Sequence, residues 1–139
     1  MWSLTAALLM AAGCVAETPA PVAPPAPAQA SLVAALDLSE PAGTPGRGSR
    51  AQAVFLKSMA TQHPTLRLSI VDVSGVSGRE RRNRAADWGL EAWPIRADPG
   101  FGPSPATTLL VGGEVRHQWT GFIDAATLDQ AIEAALRDQ

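Results

Sequence analysis

The segment from residue 31 to residue 139 alternates between short apolar runs and stretches with helical spacing. The apolar runs at 31–39 and 66–74 are bounded by turn residues and predict buried strands. A helical stretch follows each of them. The first must stop before Pro64, because a proline ring disfavours helical geometry in the preceding residue. This alternation of strand and helix predicts an α/β domain.

Local signals mark where the helices begin. Ser49 with Gln52, and Ser77 with Glu80, have the spacing of capping boxes, in which each side chain binds the backbone N–H of the other residue. Asp124 is the predicted N-cap of a last helix. The inward face of the first helix is expected to carry Val54, Phe55, Leu56 and Met59.

The C-terminal part predicts a β-hairpin and a closing helix. Residues 106–111 and 114–120 are separated by two glycines, which supply the positive φ angles of a tight turn. The proline-rich stretch between 90 and 105 is predicted to be a loop. The predicted order is β-α-β-α-β-β-α, with the first three strands parallel and the last one antiparallel. This is an α/β sandwich of one mixed sheet with helices on both faces.

Residues 2–16 form an apolar, uncharged run at the N-terminus. The run is shorter than the roughly 20 residues needed to span a bilayer, and it is typical of an export signal. Its end, "LLMAAGC", resembles a bacterial lipobox. It predicts a lipoprotein-type signal peptide over 1–13 and lipid attachment at Cys14, which would anchor the exported domain in a bacterial cell envelope, facing the periplasm or the outside. An ordinary signal peptide that carries a cysteine is the alternative.

The next stretch, 17–30, contains five prolines and no large apolar residue except Val22. Such a tract favours extended polyproline II and reaches roughly 40 Å at about 3.1 Å per residue. The chain therefore divides into the signal peptide, an anchor and linker over 14–30, and a domain over 31–139.

Charge and loop composition exclude several function classes. The net charge is −2, so no basic field favours nucleic acid. The glycine-rich loop 43–49 lacks the lysine of a nucleotide-binding loop, although Arg47 and Arg50 could assist a weaker anion site at the helix N-terminus. The arginine-rich run 79–84 is either a solvated helix face or a contact with anionic lipid head groups.

Candidate metal ligands do not cluster along the chain. His63 and His117 are the only histidines and lie far apart in sequence. Asp72, Asp87 and Asp98 are expected on the surface. We therefore expect no metal site and no cofactor.

Aromatic side chains give two further expectations. His117 alternates with Val115 and Trp119, which predicts a half-buried strand face. Trp88 and Trp93 bracket a short loop and either close the core or form the lip of a binding site.

Pro105, Gly113 and Gly121 lie at steps of eight residues in "SPATTLLVGGEVRHQWTGFIDAATLDQAIEAAL". This pattern resembles the thioredoxin-like superfamily, in which a proline opens the third core strand. The upstream "WGLEAWPIRAD" is similar to the matching segment of envelope-anchored thiol-disulfide proteins of the TlpA and ResA type. The resemblance covers roughly 31–139. It implies a thioredoxin-like three-layer sandwich with a cis peptide bond at Ser104–Pro105.

The same resemblance implies a Cys-x-x-Cys motif at the turn between the first strand and the first helix. In this chain that slot falls on Pro45, Gly46, Arg47 and Gly48, and the only cysteine is Cys14. Dithiol exchange and peroxide reduction both begin with a thiolate. The sequence therefore predicts no catalytic residues in the domain and no redox activity.

The expected function is that of an envelope-tethered, non-catalytic binding or accessory module. The resemblance implies that Ser104, Pro105 and Ala106 bind an extended protein or peptide partner by backbone pairing, while the lipid anchor binds the membrane. Two alternatives stay open. The chain is a member of a thiol-disulfide oxidoreductase family that has lost its activity, or it is a structural lipoprotein.

Overall fold

The computed structural model describes residues 29–43 and 46–138. In these ranges the elements follow in this order: β1 (Ala30–Leu36), α1 (Ser49–Gln62), β2 (Arg67–Asp72), α2 (Gly78–Asp87), β3 (Ile95–Ala97), β4 (Ala106–Val111), β5 (Glu114–Thr120) and α3 (Ala125–Arg137). The predicted signal peptide, the predicted lipid-attachment residue Cys14, most of the linker and Pro45 lie outside the described residues.

The strands form one mixed sheet in the order β3-β2-β1-β4-β5. Strands β1, β2 and β3 are parallel, whereas β4 is antiparallel to both β1 and β5. The predicted α/β class and the hairpin of β4 and β5 are confirmed. The predicted parallel direction of the third strand, 106–111, is wrong.

The reason is the short strand β3, which forms inside the stretch predicted to be a loop. The chain leaves β3 at the carboxyl end of the parallel strands, and residues 98–105 contain no helix that would return it to the other end. It therefore enters β4 from the carboxyl end. The register shows this directly, because Ala106 pairs with Ala35 near the end of β1.

Two of the predicted helix starts are confirmed. The Ser77 hydroxyl accepts a hydrogen bond from the Glu80 N–H at 3.1 Å, while the Glu80 carboxylate binds Arg84 at 2.9 Å instead of reaching back. At α3, the Asp124 carboxylate accepts from the Thr127 N–H at 2.8 Å. This bond and one from the Thr127 hydroxyl hold the pKa of Asp124 below its ordinary value of 3.8. Both helices are thus started by local chemistry.

The core lies between one face of the sheet and the three helices. Sheet residues Leu32, Leu36, Ile70 and Leu109, together with Leu56 of α1, Trp88 after α2, and Leu128 and Ile132 of α3, are buried in it. Trp88 is confirmed as a core residue, and Trp93 packs against the same core while partly exposed. On the other face of the sheet, Ser31, Val33 and Ser69 are half-buried. Ala35 and Val71, which share that face, are buried, so this face of the sheet is also covered in part.

Among the helices that the structure describes, none has both the length and the apolar character needed to cross a bilayer.

Candidate binding site

The candidate site lies at the carboxyl end of the parallel strands, where ligands bind in open α/β sheets. Leu36 at the end of β1 pairs with Asp72 at the end of β2, and Ala35 pairs with Ala106 at the start of β4. The loop between β1 and α1 and the Ser104–Pro105 segment therefore meet at one edge of the sheet. The fold brings the predicted slot and the predicted proline site to the same end of the domain.

The N-terminus of α1 is bound by a carboxylate that the sequence analysis did not single out. Glu40 accepts hydrogen bonds from the Ser49 N–H at 2.7 Å and from the Arg50 N–H at 3.2 Å. A negative group is favourable here because the first N–H groups of a helix have no partners inside it and carry partial positive charge. Gly48 is the N-cap residue, and a Cβ atom there would overlap the Glu40 carboxylate. Glycine at 48 thus allows the carboxylate to reach the helix.

The predicted capping box of Ser49 with Gln52 is wrong. Ser49 is already the first helical residue, and its buried hydroxyl accepts a hydrogen bond from the Asp37 N–H at 2.8 Å. It therefore ties the start of α1 to the residue that follows β1. The spacing was right for a cap, but the two side chains have partners from other parts of the chain.

Gln52 is fully buried and binds both backbone groups of Ile123. Its Nε2 donates to the Ile123 carbonyl at 3.1 Å, and its Oε1 accepts from the Ile123 N–H at 2.7 Å. The amide thus fastens α1 to the segment between β5 and α3. Because its partner lies 71 residues away, no local pattern could reveal this role.

The Ser104–Pro105 peptide bond is cis, which is the isomer that the resemblance implies. Pro105 is buried, whereas Ser104 and Ala106 are half-buried. The Pro105 carbonyl accepts a hydrogen bond from the Gly121 N–H at 2.8 Å. Gly121 has a φ of 93°, a conformation that glycine adopts without steric cost. Two of the three evenly spaced residues of the sequence pattern therefore meet at this site.

Apolar side chains lie next to Gly121 and along α1. The rings of Phe55 and Phe122 pack with centroids 5.5 Å apart, and both residues are half-buried. Val54 is 55% exposed, so the expectation that it lies on the inward face of α1 is wrong. On the helix it lies nearly opposite Leu56, whose side chain is fully buried.

The expected site for an external anion at this helix is not formed. Glu40 already occupies the first N–H groups, and the Arg50 guanidinium turns toward α2, where it binds Asp87 at 3.1 Å and lies 4.9 Å from the centre of the Trp88 ring. Gly46 and Arg47 of the predicted slot are exposed to solvent.

Asp72 is buried, which corrects its expected place on the surface. Its Oδ1 accepts from the Leu38 N–H at 3.3 Å and from the Ser74 N–H at 3.0 Å. Asp72 therefore holds the turns that follow β1 and β2. Asp87 is exposed as expected, and Asp98 pairs with Arg96 at 3.5 Å.

His117 is exposed, which corrects the predicted half-buried face of β5. Its ring stacks on Trp119 with centroids 5.1 Å apart. The strand is an edge strand with a bulge in its pairing to β4, so most of its side chains face solvent. In the arginine-rich run, Arg79 and Arg82 are exposed, which agrees with a solvated helix face. Contact with lipid stays a prediction.

Comparison with known proteins identifies the fold. No protein-family model and no curated protein matches the chain. Among solved structures, MTB DsbF superposes with a TM-score of 0.62 at 14% identity, covering 77% of this chain and 81% of that one. A secreted Mycobacterium tuberculosis disulfide oxidoreductase homologous to E. coli DsbE gives 0.60 at 11% identity, with 76% and 81% covered.

A third structure, thiol peroxidase from Chromobacterium violaceum, gives a TM-score of 0.58 at 13% identity, covering 76% of this chain and 72% of that one. These neighbours are thiol-dependent redox proteins, and at such identities the similarity shows the fold alone. This chain therefore has the thioredoxin-like fold.

Proposed function

We propose that this protein is a lipid-anchored, thioredoxin-like module that binds an extended polypeptide segment at the carboxyl end of its sheet and carries out no redox chemistry. The observation that carries the proposal is the Glu40 carboxylate bonded to the first two N–H groups of α1. A redox protein of this fold needs a thiolate at that helix N-terminus.

A carboxylate cannot replace the thiolate in the chemistry. Dithiol exchange begins when a thiolate attacks a disulfide sulfur, and a second thiol then resolves the mixed disulfide. The only cysteine of the chain, Cys14, precedes the proline-rich linker. The Glu40 carboxylate binds the N–H groups of the helix end that would otherwise stabilise a thiolate. The loop therefore keeps its hydrogen bonds, but the reaction has no nucleophile.

The neighbouring surface supports peptide binding. Ser104 and Ala106 are half-buried beside the cis proline, and Phe101 of the preceding loop is 43% exposed. The resemblance implies that an extended segment pairs with the backbone at this proline, which is a form of β-strand addition. Phe122 follows the Gly121 that bonds to Pro105, and its ring packs on Phe55, so it would offer an apolar contact to a side chain of such a segment.

The proposed location follows from the N-terminal sequence. Lipid on Cys14 would hold the domain at the membrane, and the proline-rich linker would keep it roughly 40 Å away when fully extended. The solved structure described as a secreted disulfide oxidoreductase agrees with an exported protein.

A peptide display selection followed by amide NMR tests the binding site. We expect selected peptides to shift the amide signals of Ser104 and Ala106, and to leave Gly112 and Gly113 at the opposite end of β4 unchanged. The same protein should not reduce insulin. Peptides that shift only signals distant from Pro105, or measurable insulin reduction, would overturn the proposal.

Membrane fractionation tests the anchor separately. Cys14→Ser should move the protein from the membrane pellet to the soluble fraction, because the lipid supplies the membrane affinity. Ser3→Ala is a matched control that leaves the lipobox intact and should stay in the pellet. If Cys14→Ser also stays in the pellet after a high-salt wash, the anchor is not at this residue.

A further inference from the structure

A histidine and two carboxylates from separate parts of the chain meet where α1 ends beside α3. They are His63, Asp129 and Glu133, and their potential ligand atoms all lie within 4.8 Å of one another. The His63 Nε2 lies 2.9 Å from the Asp129 Oδ1, although the two residues are 66 positions apart in sequence. These residues do not cluster along the chain, so the sequence alone predicted no metal site.

Backbone hydrogen bonds fix the positions from which the three side chains extend. The His63 N–H donates to the Met59 carbonyl at 2.9 Å, and the His63 carbonyl accepts from the Leu66 N–H at 2.9 Å. Asp129 and Glu133 are four residues apart on α3, so their side chains lie on the same face of that helix. The turn at His63 and helix α3 thus bring three donor groups within 4.8 Å of one another.

The local charge favours a cation. Among residues 29–43 and 46–138, no lysine or arginine forms an ion pair with Asp129 or Glu133. With a neutral imidazole the three groups carry a charge of −2, which a divalent ion would neutralise. A protonated His63 would neutralise only one of the two carboxylates. The His63 side chain is only 15% exposed.

We propose that His63, Asp129 and Glu133 bind a divalent transition metal ion, of which Zn²⁺ is the best match to one imidazole and two carboxylate donors. Bonds of about 2.1 Å in a tetrahedral site place the donors about 3.4 Å apart. The His63 and Asp129 atoms, now 2.9 Å apart, therefore separate by about half an ångström, and donors as far apart as 4.8 Å approach by about 1.4 Å. Water completes the coordination. The ion joins the end of α1 to the middle of α3.

This site is independent of the proposed peptide site. It lies at the opposite end of α1, about 20 Å away along a helix that rises about 1.5 Å per residue. Zinc should therefore stabilise the fold without entering the peptide surface.

Thermal unfolding of the full-length chain, purified in mild detergent without a polyhistidine tag and treated with EDTA, tests the proposal. Added Zn²⁺ at about one hundred times its dissociation constant should raise the unfolding midpoint by on the order of 10 °C. The shift must persist in Cys14→Ser, because a thiol also binds zinc. An unchanged midpoint at 1 mM Zn²⁺, or a shift that disappears in Cys14→Ser, would overturn the proposal.

Single substitutions locate the ion. His63→Ala should abolish the zinc-dependent shift, while His117→Ala, which removes the exposed histidine of β5, should retain it. Glu133→Gln should weaken zinc binding at least tenfold without threatening the fold, because Glu133 is exposed; Glu114→Gln is its control. If Glu133→Gln and Glu114→Gln bind zinc equally well, or His63→Ala behaves like the unchanged chain, the three residues do not form the site.

Discussion

Replacing Glu40 should destabilise the domain, because its carboxylate binds the first two N–H groups of α1 at 2.7 and 3.2 Å. Loss of a helix cap costs about 0.5–2 kcal/mol, and loss of a charge at the helix dipole costs about 0.3–1 kcal/mol. We expect about 1.5 kcal/mol for Glu40→Ala. For Glu40→Gln, which keeps one acceptor oxygen but loses the charge, we expect about 1 kcal/mol.

Urea unfolding followed by far-UV circular dichroism measures this effect. The total stability of a domain is about 5–15 kcal/mol, so a loss of about 1.5 kcal/mol moves the midpoint clearly. Glu91→Ala is the matched control, since Glu91 is exposed in the loop after α2. A few millimolar phosphate should stabilise Glu40→Ala more than the unchanged protein, because the freed N–H groups then donate hydrogen bonds to an external anion.

If Glu40→Ala and Glu91→Ala unfold at the same urea concentration, Glu40 does not stabilise the domain. If phosphate stabilises the two variants equally, the helix N-terminus is not the place where Glu40 acts.

Three other changes test the roles of Gln52 and Asp124 and the position of the predicted redox slot. Gln52→Ala should cost about 3 kcal/mol of unfolding free energy, because it leaves two buried backbone groups unpaired. Asp124→Asn should cost more near pH 6 than near pH 2.5: a lowered pKa means that the stabilisation is present above the unfolded value of 3.8 and is lost as pH falls through the folded value. The triple change Glu40→Ala, Pro45→Cys, Gly48→Cys should create a dithiol that oxidises internally and reduces insulin. The change at 40 is included because any side chain at position 48 would overlap the Glu40 carboxylate.

Each of these three predictions has a control variant or a result that would contradict it. Gln62→Ala, exposed on the same helix, should change stability little; equal losses for both glutamines would refute the role of Gln52. Asp138→Asn is the control for Asp124→Asn and should change stability little. If Asp124→Asn loses the same unfolding free energy at both pH values, the charge of its carboxylate does not stabilise α3. A triple variant whose thiols neither oxidise nor react would show that the redox slot lies elsewhere.

The sequence alone determined the features that depend on neighbours a few residues away. The caps at Ser77 and Asp124 bond to N–H groups three residues later, and the two-glycine turn sets the hairpin of β4 and β5. The spacing of Pro105, Gly113 and Gly121 pointed to the fold that comparison with solved structures identifies. The absence of cysteine after Cys14 is also a fact of the sequence.

Only the tertiary structure decided the features that depend on distant partners. Gln52 had the spacing of a cap, but its amide found a better pair of partners in the backbone of Ile123. Glu40 binds the start of a helix nine residues later in the chain. The loop between them is irregular, so no periodic sequence pattern predicts this contact. The direction of β4 depended on the connection from β3. Because residues 98–105 contain no helix, the chain enters β4 from the carboxyl end of the parallel strands. His63 meets Asp129 only because α1 and α3 pack side by side, which places groups 66 residues apart within hydrogen-bonding distance.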